Sequence, residues 1–300
     1  MTTEHIEILK KRALIYRAIR KFFDDLGFIE VTTPTALSEA APEEFIESVF
    51  CENGKLLRCS PELAMKRLVC ANMDKIYQIG PCFRADEHGS RHREEFSMLE
   101  YYQTGIDYMQ MLELTAEMVR AAGKAICNDD DFEFRNNKFS LNAPPEIITV
   151  REAFEKYTPK TAEQADIDGD FDELMVCNIE PNLGKGRMTF LIDYPANRAS
   201  LSRLKKSDDS VAERFELYIC GLELANAFGE LTDGKIQRER FEAARKFRAA
   251  NNMREYPPTP KFFQALDSGM PDCSGSAMGI DRLIMVLCNC ADISQVIVED

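Results

Sequence analysis

The sequence predicts an α+β fold, an antiparallel sheet with helices packed around it. Three observations carry this. Phe96 to Gln103 alternates at period two, with Phe96, Met98, Glu100 and Tyr102 on one face and Ser97, Leu99, Tyr101 and Gln103 on the other. Arg214 to Ile219 alternates likewise and runs into Cys220-Gly221, a two-residue turn that sends the chain back antiparallel. Around these runs lie segments of helical apolar spacing, such as Ile8, Ile15, Ile19, Phe22 and Leu26.

Composition bounds the class. The 300 residues, 45% hydrophobic and 29% charged, give ample length for a large core. The net charge of −14 (37 basic against 51 acidic residues) argues against a broad nucleic-acid surface, which draws its affinity from neutralised phosphates. No apolar run approaches the roughly 20 residues that span a bilayer. Met1 to Lys11 is too polar for a secretory signal, so the expected location is the cytoplasm. Ten cysteines stand singly, several in apolar runs (Cys70, Cys127, Cys177, Cys220), with no CxxC pair and only three histidines. That pattern reads as reduced core thiols, without a disulfide framework or zinc site.

Taken in order, the first helix stops at Gly27, and Phe28 to Val31 reads as a strand broken at Thr32-Thr33-Pro34. Phe45–Phe50 and Leu56–Cys59 flank Asn53-Gly54, a hairpin signal. Ser60 is placed to cap a helix with Pro61 at its first position and Glu62 in its first turn, where a carboxylate is favoured with or without a ligand. Lys75 to Phe83 reads as a buried strand. Between it and Phe96 lies a polar loop holding Arg84, Arg91, Arg93, His88 and His92. A cationic loop above an aromatic and carboxylate face suits an anionic ligand that carries a flat base and an amine. The same pattern describes a surface hairpin with a solvated loop.

Tyr108 to Cys127 is a long amphipathic helix whose methionines serve packing. Residues 128–186 carry acid runs, a Pro144-Pro145 break and a capping box, Thr149 with Glu152, and read as a helical insertion and connection. Met188 to Tyr194 is a strand ending at Pro195. The basic cluster Arg198, Arg203, Lys205 and Lys206 reads most simply as a solvated loop. Ile236 to Asn251 is a charged helix, and Gly279 to Cys290 an apolar one after a small-residue run, Ser274 to Gly279.

With Cys220-Gly221 as the turn, Tyr218 faces Glu223 and Glu216 faces Ala225, which puts both glutamates on one face. Two such carboxylates repel unless a cation lies between them, and Mg²⁺ held with nucleotide phosphates fits; solvent-facing acids are the plainer reading. Asn226 and Glu230 have the opposite parity and reach that face only if the strand bulges or ends after Ala225.

The run Gly80 to Tyr102 resembles motif 2 of class II aminoacyl-tRNA synthetases. Ser60-Pro61-Glu62-Leu63-Ala64-Met65-Lys66-Arg67-Leu68 and Gly269-Met270-Pro271-Asp272-Cys273-Ser274-Gly275 resemble most the lysyl-tRNA synthetase paralogues that modify elongation factor P. The likeness extends over nearly the whole chain, residues 1–300 as one catalytic domain. The first helix, strand and Pro34 resemble motif 1, which implies a homodimer. Three motifs in order are specific for the superfamily and less so for the substrate.

The resemblance implies ATP and Mg²⁺ as cofactors and an aminoacyl-adenylate as intermediate. It implies that Arg84 grips the α-phosphate and Arg282 lies near the γ-phosphate. Phe96 stacks adenine with the Arg282 guanidinium on its other side, and Ala85, Asp86, Arg93, Leu224 and Gly279 line the nucleotide. Glu216 and Glu223 hold the metal. Ser60, Pro61, Glu62, Glu100, Tyr102, Asn226, Glu230 and Ala277 bind the amino acid, with Glu62 and Glu100 for one amine and Glu230 with Tyr102 for the other. Departures occur at Ala85-Asp86, at Arg93-Glu94 and at Ala227. They put the adenine contact of Asp86 and the ATP contact of Arg93 in question.

The chain starts directly with motif 1, leaving no room for an anticodon-binding domain before it. With the acidic balance this disfavours tRNA and favours a lysine side chain of elongation factor P as acceptor. Ala277, where the synthetases have glycine, implies (R)-β-lysine in preference to α-lysine. Two alternatives stand beside this: a tRNA synthetase-like enzyme that charges tRNA or makes a free aminoacyl product, and an inactive paralogue serving as a binding subunit.

Overall fold

The alternating runs become the strands of one mixed sheet. The computed structural model describes residues 2–298; the ends of the expected domain, residue 1 and residues 299–300, lie outside the described residues. In chain order the strands along the main path of the sheet are β1 (Ile29–Glu30), β2 (Lys75–Phe83), β3 (Glu95–Thr104), β4 (Glu146–Thr149), β5 (Thr189–Pro195), β6 (Asp208–Ile219), β7 (Leu222–Gly229) and β8 (Cys273–Gly279), with a short ninth strand, Leu204–Lys205, pairing off the path with β6. Their spatial order is β1-β2-β3-β8-β7-β6-β5-β4. The six from β2 to β5 pair antiparallel, while β1 and β4 close the two ends in parallel pairs.

Period two decides which face each residue meets. Leu99, Tyr101, Leu217 and Met278 point to the face covered by helices α1 (Thr3–Asp25) and α3 (Tyr108–Lys124). Ile15, Ile19, Phe23, Met111 and Val119 fill that core, and burial of each large side chain is worth about 1.5–3 kcal/mol. The other face is covered only at its ends. Near β2, α2 (Glu62–Cys70), α4 (Gly234–Ala250) and α5 (Pro260–Asp267) bring Met65, Phe241 and Phe262 against Ile76 and Tyr102. Near β5, Phe154, Phe171 and Ile179 pack on Leu191 and Tyr218. The middle is left to polar residues.

Several expectations need correction. Phe45–Phe50 is not a strand beyond a bridge between Phe50 and Leu56, although Gly54 turns with φ +78°. The backbone of this segment is claimed elsewhere: Tyr256 donates to the Ile46 carbonyl at 2.8 Å and Arg248 to the same carbonyl at 3.4 Å. Leu56–Leu57 instead pairs with Ala36–Leu37. Residues 128–186 are more than helical connection. A hairpin of Asp131–Phe134 and Asn137–Ser140 drives Phe132, Phe134 and Phe139 into the main core, and β4 joins the sheet. The capping box of Thr149 and Glu152 forms as expected.

The basic cluster is not simply a solvated loop. Arg198 pairs with Asp166 and Asp172, Arg203 with Glu213 and Lys205 with Asp193; Lys206 alone of the four stays largely exposed. The small-residue run is itself a central strand, β8. After it, helix α6 (Ile280–Leu287) ends short of Cys290. All ten cysteines are free.

Candidate active site

Sheet register assembles the site. Gln78 lies opposite Glu100, Glu100 opposite Ala277, Ala277 opposite Asn226 and Asn226 opposite Glu216, one polar row across five strands. The next row is Tyr102, Gly275, Phe228 and Arg214. A Cβ on Gly275 would meet the Tyr102 ring at 2.3 Å and a Glu230 oxygen at 2.5 Å, so the glycine leaves room for both.

The expected pairing of Glu216 with Ala225 is wrong by one residue. Tyr218 does pair with Glu223, but Leu217 pairs with Ala225 and Glu216 with Asn226. Leu224 is the extra residue of a β-bulge. The bulge shifts the parity of everything after it, bringing Asn226 onto the face of Glu216 and Glu223. Glu230, just past the end of β7, follows with Asn226.

The cleft over this face has a volume of about 430 Å³. Arg84, Arg93, Phe96, Glu216, Glu223, Leu224, Asn226, Ala277, Gly279 and Arg282 line it, with Ser60 and Glu62 at one end. Pro61 lines a smaller adjoining hollow that shares Glu43, Cys59, Ser60 and Glu62 with the cleft. Ala85 and Asp86 are outside the lining: Ala85 donates its N–H to the Glu47 carbonyl, and Asp86, at φ +62°, donates its own to Glu94.

The acid end is closed and hydrogen-bonded. Glu100, 2% exposed, accepts from Ser60 at 2.7 Å and from Tyr102 at 2.6 Å. Ser60 also accepts the Glu62 N–H at 3.0 Å, so it caps α2 from one residue earlier than expected, with Pro61 before the helix instead of inside it. Burial, then the neighbouring Glu62, pushes the Glu100 carboxyl up to about 8. Burial also raises Glu230 to about 7, against the opposing pull of Lys66. Lys66 was not singled out in the sequence reading, nor was Glu43, raised to about 7 by burial and by Glu62.

The cationic end is looser. Arg84 reaches Glu87 at 3.4 Å, and its guanidinium stands 5.1 Å from the centre of the Phe96 ring. Arg282 turns toward the Glu223 carbonyl at 3.2 Å, its carboxylate at 3.5 Å and the His92 ring at 2.5 Å. Burial and the Arg282 charge lower the His92 pKa, favouring the neutral ring. Arg12 of α1 anchors the start of α6 by pairing with Asp281 at 2.5 Å, and Asp281 in turn accepts the Ser97 N–H.

Glu216 is held by Arg214 and by the Tyr218 hydroxyl, each at 2.6 Å. Burial and repulsion by Glu216 push the Glu223 carboxyl up to about 7, against the opposing pull of Arg282. Hard carboxylate oxygens such as these fit Mg²⁺. Among the described residues no three His, Cys, Asp or Glu side chains gather to hold a metal by themselves, so phosphate oxygens would complete the set. Arg214 also reaches Asn226 at 3.3 Å and lies 4.2 Å from the Tyr194 ring, a coupling that alternation alone did not reveal.

A sheet of this order with its cleft between motif-bearing strands is the architecture of the class II synthetases. The family described as tRNA synthetases class II (D, K and N) matches residues 1–298, and the chain belongs to it. It is 38% identical over 308 aligned positions to a protein of Proteus mirabilis (strain HI4320) named elongation factor P--(R)-beta-lysine ligase, covering 96% of this chain and 93% of that one. A protein of the same name from Yersinia pestis (strain Pestoides F) is 37% identical with the same coverage.

Proposed function

We propose that the chain is an ATP-dependent ligase that activates (R)-β-lysine or lysine as an aminoacyl-adenylate and transfers the acyl group to a lysine side chain of elongation factor P. One observation carries this: a single cleft is lined by Arg84, Arg282, Glu216 and Glu223 and, toward α2, by Glu43, Ser60 and Glu62, behind which Glu100 and Glu230 lie buried. Anionic phosphates and a cationic diamine fit opposite ends of it. The printed names of the relatives support the acceptor and the amino acid.

In this reading the substrate carboxylate attacks the α-phosphorus in line, a P–O bond forms, and pyrophosphate leaves. Arg84 and Arg282 draw charge off the phosphates and hold them in place, so positioning and electrostatics do most of the work. Mg²⁺ at Glu216 and Glu223 would neutralise further phosphate charge. Phe96 presents a flat ring to the base. Glu62 and Glu100 receive one ammonium group and Glu230 the other, because each charge must be paired once desolvated. The acceptor amine then attacks the acyl carbon and AMP departs.

The reading extends to a homodimer through α1, where Ile6 and Leu14 are exposed, and to a cytoplasmic location. No described helix is long and apolar enough to cross a membrane. The test is amino-acid-dependent exchange of pyrophosphate into ATP with each lysine isomer, followed by intact-mass analysis of elongation factor P beside a tRNA aminoacylation assay. Labelled tRNA with unmodified protein overturns the acceptor; no exchange overturns the activation.

A further inference from the structure

Helix α2 carries a second charged side chain one turn beyond Glu62. Lys66 is 1% exposed, and its ammonium stands 2.5 Å from Glu62 and 2.6 Å from Glu230. These carboxylates come from distant parts of the chain, one on α2 and one past β7, and Lys66 ties them together beneath the cleft floor. The ammonium is itself secure. Burial works against it, but Glu230 and Glu62 more than offset this and hold its pKa above the ordinary lysine value.

Charge balance gives the pair a purpose. Glu62, Glu100 and Glu230, with Glu43 beside them, outnumber Lys66, an excess of acid that suits the two ammonium groups of a diamino acid whose carboxylate is left to Arg84. Without Lys66, a carboxylate as buried as Glu230 would take up a proton and stop pairing with an ammonium. We propose that Lys66 is a positioning residue that holds Glu62 and Glu230 side by side and offsets the burial of Glu230, and so sets the amino-acid hollow for a substrate with two ammonium groups. The inference rests on the proposed function and adds the device behind its substrate class.

The groups facing this pair are Glu43 on the loop before α2, Glu100 and Tyr102 on β3, Arg203, and the thiols of Cys70 and Cys273. None but Arg203 adds positive charge, and Arg203 is engaged by Glu213 at 2.7 Å. Lys66 is therefore the principal influence that lowers the Glu230 pKa.

The experiment is pyrophosphate exchange by the full chain with Lys66→Met and Lys66→Arg across pH 6–9 (~ bounds set by the ordinary carboxyl and lysine ranges). For Lys66→Met the KM of the diamino acid rises roughly 100-fold, as expected for a broken buried pair, while the KM of ATP stays within about twofold. The acid limb of kcat/KM for the amino acid moves up by about one pH unit or more, because Glu230 loses the charge that kept it ionised. Lys66→Arg keeps the wild-type limb. Where Lys66→Met does not fold, Lys66→Gln is judged by the same two criteria. An unshifted limb with unchanged KM, or a limb that shifts equally in Lys66→Arg, overturns the inference. A wild-type chain that activates no diamino acid overturns the proposed function instead, which keeps the two failures apart.

Discussion

The two ends of the cleft are built on opposite principles. At the acid end the three carboxylates already have close partners: Ser60 and Tyr102 hold Glu100, and Lys66 bridges Glu62 and Glu230 at 2.5 and 2.6 Å. At the cationic end the arginines rest on long, partly exposed contacts, Arg84–Glu87 at 3.4 Å and Arg282–Glu223 at 3.5 Å. Exposed pairs of that kind contribute little and are readily exchanged for phosphate. One end is a finished mould and the other a set of hands waiting for a ligand. The difference follows from position. The mould sits on sheet register and helix α2, while the arginines stand at a strand end and a helix start.

The sharpest way to break this contrast is at the arginines. Arg84→Ala or Arg282→Ala is expected to lower pyrophosphate exchange by about 10³-fold, the scale of losing a preorganised charge at a reacting group. Thermal stability should hardly change for Arg84→Ala, whose resting contact to Glu87 is long and partly exposed, and should fall slightly more for Arg282→Ala, which also gives up the His92 contact. A variant that melts much earlier than wild type would show that the cationic end is structural after all.

Glu230→Gln tests the mould. Removing one partner leaves Lys66 with Glu62 alone, and the KM of the diamino acid should rise roughly 100-fold with the KM of ATP unchanged. Here, unlike at the arginines, stability should also fall, because a buried ion pair loses a member. Ala277→Gly is milder. Its methyl lies in the polar row between Glu100 and Asn226. Its removal should move the preference between β-lysine and α-lysine by about tenfold toward α-lysine, the usual worth of one methyl in a pocket. Competition of the two isomers in the exchange assay reads this directly.

Legibility in the sequence follows the same division. Alternation in Phe96–Gln103 put Glu100 and Tyr102 on one face of their strand, and alternation in Arg214–Ile219 put Glu216 on one face of its own, because period two is a local property; that the two faces are one is decided by the sheet register. Cys220-Gly221 made the turn as read, with φ +50° and +72°. The Leu224 bulge was not legible, since nothing local marks an unpaired leucine, and it alone decides whether Asn226 faces the cleft. β8 hid because Ser, Gly and Ala carry no strand propensity; the close backbone approach of its neighbours holds it in place. Lys66 escaped notice because a lysine four residues after a glutamate is the commonest of surface helix pairs. Only the fold turns this one inward.

The smallest effect separates the ends by pH. Glu100 and Glu230 are raised to about 8 and about 7 from an ordinary 4.5. A carboxyl with a raised folded pKa binds its proton more tightly folded than unfolded. Its contribution to stability is therefore complete below the unfolded pKa and is lost as pH rises through the folded one. Each such group costs up to about 1.4 kcal/mol of stability per pH unit across that window. The protein without amino acid should accordingly melt lower at pH 8 than at pH 5.5 (~ values either side of the shifted range), and Glu100→Gln should flatten the decline. A bound diamino acid supplies the missing ammonium groups, lowers both pKa values and releases protons, so its stabilising effect should grow with pH. The arginine end keeps its guanidinium charges throughout but has titrating neighbours of its own, Glu223 raised to about 7 and His92 lowered, so only the part of the slope that Glu100→Gln removes reports on the acid end. Melting curves for wild type and Glu100→Gln, with and without lysine, measure this; equal slopes in the two proteins would mean that the buried acids are not what titrates.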